Sequence, residues 1–381
     1  MENENAKKML RVLHCGDITL GTPHAGLSLD KCRECYMQFR TVFDSLFETI
    51  RKEGVDLVLI AGNLYSRYLT NDDATYLIQQ FCSLPNCHFV IAPGDQDPYE
   101  EDSFYASGRL PENVHIFESE QLERIDFPAL YTSVYGWAHL SQRILTSPIR
   151  QKTVADEGCF NLLCGCCEIG TRSVFCSLSP EEISRFGADY AAFSHGSATE
   201  IKTIGHSHYA HCGPLEGKNF EESGVGGVLL IDLAISENEK TFSSRRVPLA
   251  LHRYETVTLN VTGASNMDEV FKLLRPLIEE KGWGSDTSLR VILNGALSPL
   301  VTLRPEKEDA DVLSLYSLEF IDRTLPTHEV AMFKKDMTVR GELYRMLEGR
   351  LSSPSVDERT AVAQAFRTGL AALESKDITI V

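Results

Sequence analysis

The segment Cys87–Tyr99, CHFVIAPGDQDPY, joins an apolar run to an acidic loop that contains Gly94. The run CHFVI has the length and composition of a buried strand. In α/β enzymes, polar loops with a glycine hinge at the ends of such strands carry the chemistry. The segment therefore predicts a strand that ends in a functional loop, and we expect neighbouring strands to end in similar loops.

The chain before this segment alternates between apolar strands and amphipathic helices. LRVLHCG (Leu10–Gly16) and VDLVLIAGN (Val55–Asn63) are typical of buried strands, and helices are predicted at about 30–53 and 71–84. This alternation predicts βαβ units and a largely parallel sheet. Later strands have little helix between them, so we expect a more antiparallel second half, in one mixed sheet or in two packed sheets. The later strands are predicted at 114–118, 130–137, 160–167, 189–195 and 226–234.

A different pattern begins near Glu255 and predicts a small α+β unit. Its strands are expected at about 255–262, 288–295 and 311–322, with a helix at 268–281. Two amphipathic helices, at about 339–351 and 357–375, form the tail. Their apolar stripes fit either a local core or a docking surface for a partner helix.

Composition narrows the function classes. The 381 residues are 43% apolar and carry a net charge of −17, which argues against a broad basic surface for nucleic acid but leaves a local basic groove open. The sequence has neither a transmembrane run nor a signal peptide, so we expect a cytoplasmic protein with no membrane contact and with reduced cysteines.

Polar residues follow five of the predicted strands, each beside a small residue that lets backbones approach. If these strands belong to one fold, the five strand ends converge on one rim. The segments are Gly16-Asp17-Ile18-Thr19, Gly62-Asn63-Leu64, Gly94-Asp95-Gln96-Asp97, Cys164-Gly165-Cys166-Cys167-Glu168 and Ser194-His195-Gly196-Ser197.

In order along nearly the whole chain, these segments resemble the calcineurin-like metallophosphoesterases. The narrower resemblance is to SbcD-type DNA repair exonuclease subunits of a clostridial-like branch. LRVLHCGDITLGTP resembles RLLHTADIHLDSP, FVIAPGDQDPY resembles FIAPGNHDPY, and PENVHIFES is nearly identical to its family counterpart. The resemblance implies a four-layer α/β/β/α sandwich at residues 8–250, an α+β capping domain at 255–338 and a helical C-terminal tail at 339–381.

The resemblance also implies a two-cation site, but most of its residues are replaced here. Asp17 and His195 keep the family's residue type. Thr19 and Ser197 replace histidine ligands, and Gln96 replaces the catalytic histidine. The other positions hold Asn63 for a bridging aspartate, Asp95 for asparagine and Cys166 for histidine.

The resemblance therefore implies a vestigial or remodelled centre. A cofactor is not expected, but Asp95, Cys166 and His195 would suit one divalent ion, zinc or manganese, and zinc better. Alternatively, Cys166 is a small buried hydrophobe. The sequence does not decide whether Cys164, Cys166 or Cys167 faces the cleft.

The segment Gly205-His206-Ser207-His208 spells the GHxH of a metal motif, but we interpret it as a hairpin turn because 189–195 already fills that motif's place.

Two functions follow from this interpretation. The first is a catalytically inactive SbcD-like protein that is a structural or regulatory partner of an active paralogue or of an SbcC-like coiled-coil ATPase, bound through the C-terminal helices. The sequence leaves open whether the protein forms a homodimer. Its contact with DNA would be weak or would be made through the partner. The alternative is an active phosphodiesterase or DNA exonuclease with a remodelled, single-metal site.

Overall fold

The computed structural model describes residues 8–22, 29–154, 158–170, 174–195, 200–236, 239–298, 301, 303, 306, 309–326, 333–351, 353 and 355–373. The chain divides into two compact units, Met1–His252 and Arg253–Val381. Within the described residues, the helices are all too short or too polar to cross a bilayer.

The first unit contains a six-stranded sheet in the order β14-β13-β1-β2-β3-β4. Its first four strands along the chain are parallel, as the strand–helix alternation predicts, and β13 pairs antiparallel with β1. Their bounds are β1 Lys8–Cys15, β2 Leu57–Ile60, β3 His88–Ile91, β4 Val114–Ile116, β13 Gly227–Ser236 and β14 Glu239–Pro248.

Helices α1 (Leu29–Glu53) and α2 (Asn71–Cys82) cover the outer face of this sheet. The buried stripe of α1 packs on alternate residues of β1, because successive side chains of a strand point to opposite faces. Helix α2 begins with a capping box between Thr70 and Asp73. The stripe consists of Phe39, Val42, Phe43, Leu46, Phe47 and Ile50.

A second six-stranded sheet has the order β11-β12-β10-β7-β6-β5. The expectation of a more antiparallel second half is wrong for this sheet: β6, β7, β10 and β12 are parallel, and antiparallel pairs occur only at its edges. Long loops make the crossovers that parallel strands require, so a missing helix does not imply antiparallel pairing. The bounds are β5 Glu123–Phe127, β6 Thr132–Gly136, β7 Phe160–Cys166, β10 Tyr190–Ser194, β11 Lys202–Ile204 and β12 Ser207–His211, with a separate pair, β8 Glu168–Ile169 and β9 Ser177–Leu178.

The two sheets pack face to face over a shared apolar core, and α3 (Pro180–Phe186) lies on the outer face of the second sheet. The layers are therefore helix, sheet, sheet and helix, which confirms the predicted fold class. His14 on β1 lies between the sheets, where its Nδ1 is 2.8 Å from the Tyr190 hydroxyl and its Nε2 is 3.1 Å from the Phe193 carbonyl oxygen.

The GHSH segment forms the turn between β11 and β12. Gly205 has a φ of 60°, as a tight turn requires, and Ile204 pairs with Ser207. His208 stacks on Phe242, with the ring centroids 3.9 Å apart. The predicted hairpin is therefore confirmed, and these histidines lie on the hairpin.

The second unit contains a parallel three-stranded sheet, with a core shared with the helix Met267–Lys281. The strand predicted at 311–322 is wrong in its first half, where residues 309–312 form a helical turn. Ser314, with a φ of 56°, separates that turn from the strand. The elements are β15 Arg253–Asn260, α4 Met267–Lys281, β16 Thr287–Asn294, β17 Ala296–Leu297, α5 Asp309–Val312, β18 Ser317–Asp322, β19 Leu325–Pro326, α6 Val339–Leu351 and α7 Val356–Leu373.

Candidate metal centre

The carboxyl ends of β1, β2, β3, β7 and β10 converge on one rim of the first unit. Asp17, Asn63 and Asp95 lie in the loops after β1, β2 and β3. Cys166 is the last residue of β7, and His195 directly follows β10. The structure therefore brings together these five residues, which the sequence singles out. Ser197 lies outside the described residues.

Asn63 links the two carboxylates of the centre. Its Nδ2 donates to Asp17 Oδ1 at 2.8 Å and to Asp95 Oδ1 at 3.1 Å. Its Oδ1 accepts from the backbone nitrogen of Gln96 at 3.0 Å, which fixes the orientation of the amide. The amide nitrogen of Asn63 thus connects the two carboxylates.

Asp95 Oδ1 is the point on which the other side chains converge. Besides Asn63, it contacts His195 Nδ1 at 3.2 Å and accepts from Cys166 Sγ at 3.7 Å. The second imidazole nitrogen of His195 lies 3.4 Å from Glu168 Oε1. His195 is therefore held between two carboxylates.

Charge and burial shift the pKa values of this pair in opposite directions. The hydrogen bond to Asp95 raises the pKa of His195, although burial opposes the rise. Burial disfavours ionised Asp95, but the hydrogen bond and charge of His195 hold its pKa below its usual range. Without a metal ion, the pair therefore favours an imidazolium beside a carboxylate.

The structure distinguishes the three cysteines that the sequence leaves open. Cys166 faces Asp95, Cys164 packs in the core between the sheets, and Cys167 packs in the core beneath α3. Burial raises the pKa of the Cys166 thiol well above its usual value, and the nearby Asp95 and Asp17 raise it further. The thiol therefore stays protonated unless a bound cation replaces the proton.

The family resemblance places Thr19 where the first motif has a histidine. In the structure, the Thr19 hydroxyl contacts a lysine, Lys218. Lys218, from the loop after β12, donates through Nζ to Thr19 Oγ1 and to the carbonyl oxygen of Ile18 at 3.5 Å. Sequence analysis missed Lys218 because its loop lies far from Thr19 along the chain.

The backbone is strained where the centre is built. Asp17, Thr19, Asn63 and His195 have positive φ values of 46°, 48°, 54° and 71°. Such conformations cost about 1–3 kcal/mol each outside glycine and concentrate at functional sites. Their position together at this rim supports its assignment as a candidate functional site.

Asp97 holds the loop that follows β3 in place. Its buried carboxylate accepts from the backbone nitrogens of Gly94 at 2.7 Å, Leu64 at 2.6 Å and Asn63 at 3.0 Å, and from the Tyr105 hydroxyl at 2.5 Å. Burial raises the pKa of Asp97 to about 7, and these hydrogen bonds oppose the rise. The loop is therefore tied to the loop after β2, which keeps Asp95 beside Asn63.

His139 was missed from the sequence, and Glu168 was named there only as the end of a strand-end segment, without a role in the site. His139 is buried, and its Nε2 lies 3.1 Å from the carbonyl oxygen of Cys166. Glu168, the second residue after Cys166, faces His195. Both residues come directly after predicted strands, which is the signal that could have identified them.

A cleft of about 1160 Å³ opens beside Asp95 and Gln96. Its walls come mainly from residues 65–71 and 95–107. The charged side chains that line it carry both signs. They are Asp95, Asp97, Glu100 and Asp102 against Arg67 and Arg109.

The donor set fits one metal ion and not two. Asp95, Cys166 and His195 offer ligand atoms that all lie within 4.8 Å of one another, and thiolate, imidazole and carboxylate suit zinc. On the other side of Asn63, Thr19 accepts from an ammonium group, and the side chain between the carboxylates is an amide. Among the described residues, Asp17 offers a carboxylate on that side but belongs to no second group of three metal-ligating side chains.

One family model and several solved structures are similar to this chain. A family model described as calcineurin-like phosphoesterase matches residues 10–218. Among solved structures, Vacuolar Protein Sorting 29 from Cryptosporidium parvum is 14% identical, covers 63% of this chain and 99% of that chain, and has a TM-score of 0.29. Wild-type Vps29 from Entamoeba histolytica in complex with zinc is 15% identical over 63% and 99%, with a TM-score of 0.28. No curated protein matches the chain in sequence.

Proposed function

The chain belongs to the calcineurin-like phosphoesterase family, and we propose that it is an SbcD-like member that does not hydrolyse phosphodiesters through a two-metal centre. It acts as a structural or regulatory partner in DNA repair. The observation that carries the proposal is the amide of Asn63, whose N–H groups point at both Asp17 and Asp95. The resemblance of segments such as PENVHIFES supports the SbcD-like assignment.

The residues of the centre argue against two-metal hydrolysis at each step. A carboxylate that bridges two cations is needed to hold them about 3.5–4 Å apart, and Asn63 is neutral. A group that protonates the leaving oxygen must titrate near neutral pH, and the side chain of Gln96 does not titrate.

One divalent ion is compatible with this proposal, and the donor set at Asp95, Cys166 and His195 supports it. A bound ion would supply Lewis-acid polarisation of a phosphate oxygen. Glu168 would orient the His195 ring through Nε2. Asn63 would keep Asp95 in place, because its amide already donates to Oδ1. A single-metal phosphodiesterase is therefore the second candidate function.

The proposed partner is an SbcC-like coiled coil, which would bind the C-terminal helices. Exposed apolar side chains on and before α6 support a helix-docking surface: Met337 is 93% exposed, Val339 67% and Met346 73%. Co-purification with a coiled-coil segment of such an ATPase tests this part. We expect Met346→Glu to abolish it and Leu145→Glu, on an exposed leucine of the first unit, to leave it unchanged.

Hydrolysis of bis-p-nitrophenyl phosphate and of linear duplex DNA, with manganese or zinc, tests the proposed loss of activity. We expect no turnover above a metal-only blank. Turnover that Asp95→Ala and His195→Ala both abolish would overturn the proposal in favour of the single-metal enzyme. Turnover that both variants retain would not arise at this centre and would indicate a contaminating nuclease.

A further inference from the structure

The strand β14 lies at one edge of the first sheet, and no strand of the described chain pairs with its outer side. At ten residues it is the longest edge strand that the structure describes in the two large sheets: β5 has five residues, and β4 and β11 have three each. Its side chains are mostly exposed. A long, exposed edge is a template on which another strand can pair.

The ladder of the neighbouring strands shows which backbone groups of β14 face outward. Arg11 N donates to Asp56 Oδ2 at 2.8 Å and its carbonyl oxygen accepts from Asp56 N at 3.0 Å, so the backbone of Arg11 faces β2. Asp232, the partner of Arg11 on β13, therefore directs its backbone groups at Ser243 on β14. These directions alternate along an antiparallel pair. The residues of β14 whose backbone groups face outward are Lys240, Phe242, Ser244 and Arg246.

The larger side chains at these positions are held within their own chain. Lys240 Nζ donates to Asp189 Oδ2 at 2.8 Å, and Phe242 stacks on His208 with the ring centroids 3.9 Å apart. A lysine on an edge strand usually discourages pairing. Here Asp189 balances its charge, and both side chains are drawn toward the second sheet.

We propose that β14 pairs antiparallel with β14 of a second copy of this chain, with Phe242 on the twofold axis. This register places Glu239 opposite Arg245 of the second copy, and by symmetry forms that ion pair twice. On the other face of the strand, Lys240 lies opposite a serine, Ser244. Opposite charges across an antiparallel pair are stabilising and like charges are destabilising.

Charge favours this register over the next one along the strand. With the axis at Ser243, Lys240 would lie opposite Arg246, and this repulsion would occur twice. Arg245 already contacts Glu53 Oε2 at 2.5 Å, but its side chain is 53% exposed and keeps further donors for a second carboxylate. The inference goes beyond the proposed function and uses no residue of the candidate metal centre.

Sedimentation equilibrium of the full chain tests the inference, at up to about 100 μM chain because a single strand pair buries less area than a standard interface. We expect a dimer that weakens as salt is added. Ser244→Pro removes an outward-facing N–H group and leaves the ladder to β13 in place, so it should weaken dimerisation at least about tenfold. Circular dichroism checks that this variant folds.

Charge variants test the register without relying on proline. Glu239→Arg and Arg245→Glu should each be monomeric where wild type is a dimer, because each places like charges opposite one another. An equimolar mixture of the two should dimerise, because every such pair is then an arginine opposite a glutamate. Glu112→Arg, the same charge change at another exposed glutamate of the first unit, is the matched control and should dimerise as wild type does.

A wild-type chain that stays monomeric would overturn the inference and would leave this edge to a strand of a different protein. A dimer that folded Ser244→Pro retains in full would also overturn it, as would single charge variants that dimerise like wild type or that stay monomeric when mixed. These measurements involve neither metal nor hydrolysis. The inference can therefore fail while the hydrolysis assay still supports the proposed function, and the reverse.

Discussion

Asn63 Nδ2 lies 2.8 Å from Asp17 Oδ1, so a neutral amide occupies the place between two carboxylates where the family has a bridging aspartate. The same nitrogen donates to Asp95 Oδ1 at 3.1 Å. The carboxylates are therefore connected without a cation. This arrangement accounts for a centre that keeps the family's loops and strained backbone while its donor set fits at most one metal ion.

Replacing Asn63 with aspartate tests that arrangement. Asn63→Asp places a third carboxylate against Asp17 and Asp95 and removes the amide donor. We expect it to lower the free energy of unfolding in EDTA by about 1–3 kcal/mol, measured by urea denaturation. The double variant Asp17→Asn/Asn63→Asp returns the centre to one amide and two carboxylates, with an amide donor beside position 63, and should recover part of the loss. Unchanged stability of Asn63→Asp would contradict the account.

Zinc affinity should fall as pH decreases. A zinc ion at Asp95, Cys166 and His195 must displace the protons of the thiol and the imidazolium, whose pKa values are both raised. We expect an affinity loss of about tenfold per pH unit for each displaced proton, measured by chelator competition between pH 8 and pH 6.

Cysteine variants identify the ligand in that titration. Cys166→Ala should lower zinc affinity at least about tenfold. Cys164→Ala, on the same strand but in the core between the sheets, should leave it unchanged. Zinc affinity that does not depend on pH, or that depends on Cys164, would argue against this ligand set.

His14 should make the free energy of unfolding depend on pH. Burial lowers the pKa of His14 to about 3 from an ordinary value of 6.5, so only the unfolded chain takes up this proton between those values. The stabilising contribution is complete above pH 6.5 and is lost as pH falls toward 3, at up to about 1.4 kcal/mol per pH unit. His14→Asn should give a shallower fall in urea midpoint between pH 6.5 and pH 4.5. Parallel pH profiles for wild type and His14→Asn would contradict this assignment.

Gly94 is needed because its backbone approaches Asn63. A Cβ at position 94 would lie 2.8 Å from the backbone nitrogen of Asn63, so that the two loops must separate. We expect Gly94→Ala to destabilise the first unit by about 1–3 kcal/mol and to weaken zinc binding, because Asp95 moves with the loop. The comparison variant is Gly349→Ala in α6, where an added Cβ meets nothing within 4 Å. This change should stabilise the helix slightly, because alanine has a higher helix propensity than glycine. Equal effects of the two changes on zinc binding would contradict the role of Gly94.

The strand-end loops could be predicted from sequence because apolar runs and the polar residues after them are local signals. Asp17, Asn63, Asp95 and His195 meet as expected, since parallel strands end at the same edge of a sheet. Side-chain alternation along β7 places Cys164 and Cys166 on one face and Cys167 on the other. Alternation does not show whether Cys164 or Cys166 reaches the rim. Cys166 lies at the rim because the strand ends there.

The remaining features depend on contacts between distant parts of the chain. Lys218 and Thr19 are 199 positions apart, and nothing local to either residue indicates their contact. Parallel pairing of β6, β7 and β10 is set by how the second sheet packs on the first, not by the residues between the strands. The turn at Asp309–Val312 was hidden because the apolar residues of 311–322 fit a strand throughout.

Metal stoichiometry of the purified full-length chain tests the central claim most directly. The protein is saturated with zinc or manganese, freed of excess ion by gel filtration and measured by elemental analysis, with Asp95→Ala and His195→Ala beside it. The account predicts no more than one ion per chain, and predicts that both variants lose any ion that wild type binds. Two ions per wild-type chain would contradict the account, because the centre would then hold a second cation although Asn63 offers no bridging carboxylate.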